Sequence, residues 1–92
     1  MAKIVINCCH GGFSLSSNAL QEYRRRKGDE NIDDLDIARD DPILVEIVET
    51  MGSDANTRFS DLKIVEIPDG VNWFIQEYDG DEWVAERHRT WR

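Results

Sequence analysis

Apolar positions along this chain follow two periods, and the switches between them mark out its elements. Lys3-Ile4-Val5-Ile6-Asn7 is a short β-branched run without polar alternation, which predicts a strand buried on both faces. From Ser17 to about Lys27 the apolar residues Ala19, Leu20 and Tyr23 recur at helical spacing. Ser16 is placed to cap this helix, Leu15 to pack on Leu20 across its first turn, and Gly28 to end it. Asp41-Pro42 starts a second helix, with Asp as cap and Pro at the first helical position. Ile43, Leu44, Ile47, Val48 and Met51 form its core stripe, and Gly52 closes it. Leu62 to Ile67 and Trp73 to Tyr78 read as strands, separated by the turn Pro68-Asp69-Gly70. Asp79-Gly80 is a hairpin turn, so Glu82 to Arg87 pairs back as the last strand. The acidic stretch between Asp29 and Asp41 is poorly periodic. It reads as a loop or a short extra helical turn, tacked down by Ile32, Leu35 and Ile37.

The resulting order is β-α-α-β-β-β in one domain spanning residues 1–92, of α+β class. A crossover through helices predicts parallel first and second strands. The expected architecture is a four-stranded mixed sheet with both helices packed on one face. Its other face would expose aromatic side chains, Trp73 or Phe74 together with Trp83. A homo-oligomer through that face is the natural expectation, since a chain this short has little core of its own.

Charge changes this picture more than composition does. The 92 residues carry a net charge of −8, but unevenly. Residues 29–86 hold 18 acidic residues against three basic ones. The first 28 residues and the last six are both net basic. An acidic body of this kind repels bulk nucleic acid and anionic membrane. No apolar run reaches the roughly 20 residues of a membrane span, and the N-terminus lacks the long apolar region of a signal peptide. The two cysteines, Cys8 and Cys9, are adjacent, which does not suit an ordinary intrachain disulfide and fits a reducing compartment. These features predict a cytoplasmic protein.

Two segments carry candidate chemistry. Gly11-Gly12-Phe13-Ser14-Leu15-Ser16 joins a strand to a helix, where open N–H groups and partial positive charge attract anions. It is neither a Walker A sequence nor Gly-x-Gly-x-x-Gly. A tight turn is the plainer use of such a pair. The second segment is Arg87-His88-Arg89-Thr90-Trp91-Arg92, which offers guanidinium forks and rings that stack. Together they suit a phosphate joined to a flat ring. The ligand-binding set is then Gly11, Gly12, Phe13, Ser14 and Ser16 with Arg87, His88, Arg89 and Trp91. Cys8, Cys9, His10 and His88 match no usual metal spacing. No metal site, cofactor or catalytic residue is assigned. The cluster Arg24, Arg25, Arg26 and Lys27 complements the dipole at the end of the first helix.

Several segments together carry a resemblance: Lys3 to Asn7 running into Gly11-Gly12-Phe13-Ser14-Leu15-Ser16; Arg39-Asp40-Asp41-Pro42 with Leu44-Val45-Glu46; Asp61 to Pro68; Glu77-Tyr78-Asp79-Gly80 with Glu82-Trp83-Val84-Ala85-Glu86; and His88-Arg89-Thr90-Trp91. The chain resembles, over nearly its whole length, a family of small uncharacterised proteins found in tailed bacteriophages and some bacterial genomes. The resemblance implies a setting, the host cytoplasm, and action on the host by binding. Some phage accessory proteins act in counter-defence by sequestering nucleotide signals of bacterial immunity. The leading expectation is therefore a non-catalytic binder of a small anionic, nucleotide-like ligand. One alternative is an acidic protein-interaction module that inhibits a host protein. Another is a small hydrolase or thiol-dependent enzyme.

Overall fold

The β-branched run forms the central strand, β1 (Ala2–Asn7). Ile4, Val5 and Ile6 are wholly buried, as the lack of alternation predicts. Helix α1 (Ser17–Lys27) follows, capped by Ser16 and ended by Gly28 in the left-handed conformation. A single 3-10 turn at Asp34–Asp36 interrupts the acidic stretch. Helix α2 (Pro42–Met51) is capped by Asp41, whose side chain accepts from Ile43 N–H. The remaining strands are β2 (Leu62–Ile67), β3 (Trp73–Tyr78), β4 (Asp81–Glu86) and the short β5 (Thr90–Trp91). The structure, a computed structural model, describes residues 2–86 and the backbone of residues 90–91.

The class is α+β, but the single four-stranded mixed sheet is replaced by two separate sheets. One is the pair β1–β2 and the other has the order β3–β4–β5. The first two strands are antiparallel, not parallel, with Asn7 opposite Leu62 and Ala2 opposite Ile67. The reason lies in the connection. Each helix carries the chain once along the sheet, so two helices return it to the end of β1, and β2 must run back. The sheets do not merge because the outer edge of β1 is already occupied. Val5 N–H donates to the Arg39 carbonyl at 2.8 Å, and Asn7 N–H donates to the Glu82 carboxylate at 2.8 Å.

The molecule is therefore layered, with the β1–β2 ribbon in the middle. Val5 and Ile64 face the helices, among Ala19, Tyr23, Leu44 and Ile47. Ile4, Ile6, Val65 and Ile67 face the other way and pack against Val84, with Trp73 and Ile75 alongside. Both helices do lie on one face of the ribbon. The opposite face is covered by the second sheet instead of standing open. Trp73 consequently points inward, whereas Phe74 points outward and is half exposed. Trp83 is partly buried and donates its indole N–H to Gln76 Oε1 at 3.0 Å. In the acidic stretch Ile37 is buried and Ile32 packs on the core, but Leu35 does not tack it down: it is 76% exposed.

Candidate functional site

The glycine loop sits at the end of the molecule where β1 stops, β2 starts and the β3–β4 hairpin turns. Asn7, fully buried, fastens these three pieces together. Its side-chain amide donates to the carbonyls of Cys9 at 2.6 Å and Gly80 at 2.7 Å, and its Oδ1 accepts from Asp61 N–H at 2.8 Å. Every polar atom of that amide is used, so this is a rigid junction.

Glycine is required at this junction mainly for space. A Cβ on Gly11 would fall 2.0 Å from the Phe59 carbonyl oxygen, and one on Gly80 would fall 2.5 Å from Gly12 N. Two loop backbones, at Phe59 and at Gly80, are thus packed onto the glycine loop. The hairpin adds a conformational demand, since Asp79 and Gly80 both have positive φ, as a two-residue turn of this hand needs.

Beneath the loop lies an ion pair that the sequence reading did not single out. Arg39 bonds Glu82 through both nitrogens, Nη1 to Oε1 at 2.6 Å and Nη2 to Oε2 at 2.9 Å. Its guanidinium lies 3.6 Å from the centroid of the Phe13 ring. Glu82 is buried, and its Oε1 also holds Asn7 N–H. A buried carboxylate needs such partners, since a lone buried charge is costly. The signal was present in the hairpin pattern: Glu82 shares a strand face with buried Val84. Only Arg39, Arg58 and Lys63 in residues 29–86 could have answered it.

Of the loop residues expected to bind a ligand, Phe13, Ser14 and Ser16 have partners within the chain. Phe13 is buried beneath Arg39. Ser14 Oγ shares a 2.8 Å hydrogen bond with Thr57 Oγ1, and the Ser14 carbonyl accepts from Ser60 Oγ at 3.0 Å. Ser16 Oγ accepts from Ala19 N–H at 3.2 Å and donates to the Asp54 carbonyl at 2.7 Å. The capping hydroxyl at the start of α1 is therefore used within the chain. Gly11 remains at the surface, beside His10 and the exposed ring of Phe59. His10 Nδ1 stands 3.9 Å from Asp79 Oδ2.

Arg87, His88 and Arg89 lie outside the described residues, as does Arg92; Trp91 is described only as a backbone partner of Val84. From the Gly80 end, packed on the glycine loop, β4 runs six residues to Glu86, about 17 Å away. What the described residues bring together is the glycine loop, residues 57–61 and the turn at Asp79–Gly80.

Cys8 and Cys9 are half-buried, and Cys8 packs against the cluster between the sheets. Among the described residues no three His, Cys, Asp or Glu side chains are grouped to hold a metal ion. The basic end of α1 is used internally: Arg25 and Arg26 bond Glu22, pulling its pKa down to about 2, and Arg24 Nε donates to the Ile32 carbonyl at 2.7 Å. No described helix is long and apolar enough to cross a membrane.

Carboxylates dominate the surface, and large apolar side chains project among them. Leu35 stands between Asp34 and Asp36, and Tyr78, 75% exposed, stands between Glu77 and Asp79. Phe59 and Phe74 are also exposed. Burial, together with a hydrogen bond to Asp33, raises the pKa of Asp34, whose Oδ2 accepts from Leu15 N–H at 3.2 Å. Comparison with family models, with characterised proteins and with solved structures finds no match for this chain.

Proposed function

We propose that this protein acts by binding, and that its acidic, apolar-studded surface docks on a basic region of another protein. The observation that carries this reading is the placement of Leu35 and Tyr78. Each is about three-quarters exposed and flanked on both sides by carboxylates. Exposed apolar anchors supply contact energy, and the surrounding acids supply orientation and encounter rate toward a cation-rich partner. The partner is thus a basic protein, in line with the host-inhibitor alternative drawn from the sequence.

The test is capture with a tagged bait, followed by quantification of what is retained. Wild-type protein is expected to retain a basic protein that salt releases. The double variant Leu35→Ser, Tyr78→Ser is expected to retain at least about tenfold less, since losing two anchors removes more than 1.4 kcal/mol. Equal capture by the two proteins, or capture indifferent to salt, overturns the reading.

A second reading keeps the small anionic, nucleotide-like ligand. The observation favouring it is that the surface backbone of Gly11 lies beside two exposed rings, His10 and Phe59. Calorimetric titration with cyclic and ADP-ribose-type nucleotides tests it. Heat of binding that Phe59→Ala abolishes supports it, and no heat at high micromolar concentration removes it.

A further inference from the structure

The backbone of β3 has an edge that, among the described residues, no other strand covers. β3 pairs with β4 alone, in an unbroken register from Trp73–Glu86 to Tyr78–Asp81. The pair next to a two-residue turn bonds across the ladder, so Tyr78, Gln76 and Phe74 are turned to β4. Trp73, Ile75 and Glu77 therefore direct their N–H and C=O groups away from it. Proteins usually guard such an edge with proline, lysine, a bulge or a covering side chain. β3 has no proline, lysine or bulge. The outer edge of β1, by contrast, is closed by Arg39 and Glu82, and β2 carries Lys63.

Charge indicates what the edge accepts. Positions 64–86 contain seven carboxylates and no Lys, Arg or His. Glu82 is neutralised by Arg39, while Glu77 and Asp79 stand exposed at the turn end of β3. A second copy of this chain would set Trp73 opposite Glu77 across an antiparallel seam and bring no cation of its β3–β4 hairpin to these carboxylates. An extended basic segment would bring cations to them. On the outer face Phe74 and Tyr78 flank Gln76, offering apolar contact to alternate side chains of an added strand.

We infer that β3 is a docking edge on which an extended, lysine- or arginine-rich segment of a protein partner adds as a further antiparallel or parallel strand. Main-chain hydrogen bonds to Trp73, Ile75 and Glu77 hold the segment, and its cations lie against Glu77 and Asp79. The inference rests on the reading that the protein binds a basic partner, and it names the place and mode of that binding.

The experiment uses the full chain and two synthetic peptides of alternating lysine and valine. The second peptide is methylated on alternate backbone nitrogens, which keeps its charge and removes hydrogen-bond donors. Amide exchange is followed by NMR for each residue. The expected result is slowing of about tenfold or more at Trp73, Ile75 and Glu77 with the first peptide, and at least about tenfold weaker binding of the methylated one. Equal binding of both peptides, with changes centred on residues 29–41, overturns the docking edge while leaving the basic-partner reading standing. Protection of β3 that grows with protein concentration and needs no peptide also overturns it, and assigns the edge to a second copy. No binding of either peptide counts against both.

Discussion

Glu82 is the residue on which the junction depends. It holds Arg39 by two hydrogen bonds and the edge of β1 by a third, with its own side chain buried and that of Arg39 mostly so. Removing one partner of a buried pair strands the other charge, which costs about 3–5 kcal/mol. Glu82→Ala is expected to lower unfolding free energy by that amount in a denaturant titration. A loss under 1 kcal/mol would mean that the pair is solvated. Gly11 makes a different demand, because space rather than backbone conformation forbids a side chain there. Gly11→Ala is expected to cost about 1–3 kcal/mol as Phe59 and its loop are pushed away. These residues show what the conspicuous glycine loop does within the fold. A Gly-Gly pair announces close approach, but not whether the approaching group is a ligand or the chain's own backbone. Here the chain's own backbone, at Phe59 and at Gly80, makes such approaches.

At the scale of elements, the helices were legible and the sheets were not. Both helices lie where caps, periodicity and closing glycines put them, because those signals are local. Sheet order depends on what occupies the edge of β1, and its occupants, Arg39 and Glu82, are distant in sequence from it. The two helices are tied by a contact that no periodicity reveals. Tyr23 on α1 donates its hydroxyl to Asp41, the cap of α2, at 2.7 Å, and Lys27 approaches the same carboxylate at 3.3 Å. Burial first, and the bond to Asp41 second, push the Tyr23 pKa up to about 12. Burial pushes Asp41 upward too, but the Tyr23 hydroxyl, the Ile43 N–H and Lys27 together hold its carboxyl below the usual 3.8. The two groups act on stability in different pH windows. The Tyr23 contribution is complete below pH 10 and is lost as pH rises toward 12. The Asp41 contribution is present above pH 3.8 and is lost as pH falls below it. Tyr23→Phe is expected to cost about 1.5–3 kcal/mol near neutrality and to flatten the alkaline limb of the stability–pH curve. Thermal melts from acid to alkaline pH check this, and an unchanged alkaline limb would contradict it.

For the whole molecule, the ribbon between two layers lets one short chain bury both faces of β1, and few polar residues are needed inside to hold the layers in register. What remains outside is acidic, with Leu35, Phe59, Phe74 and Tyr78 left uncovered. The acidic middle was plain in the sequence. Its pairing with exposed apolar side chains was not, because Leu35 in particular reads as an anchor for its loop until its exposure is seen. We propose that this surface, rather than the glycine loop, meets the partner. Hydrogen exchange of the protein, free and in complex with the basic protein it captures, tests that claim most directly. Slowed exchange is expected in residues 73–78 and 33–36, with residues 10–16 unchanged. Protection confined to residues 10–16, with β3 exchanging as in the free protein, would contradict it.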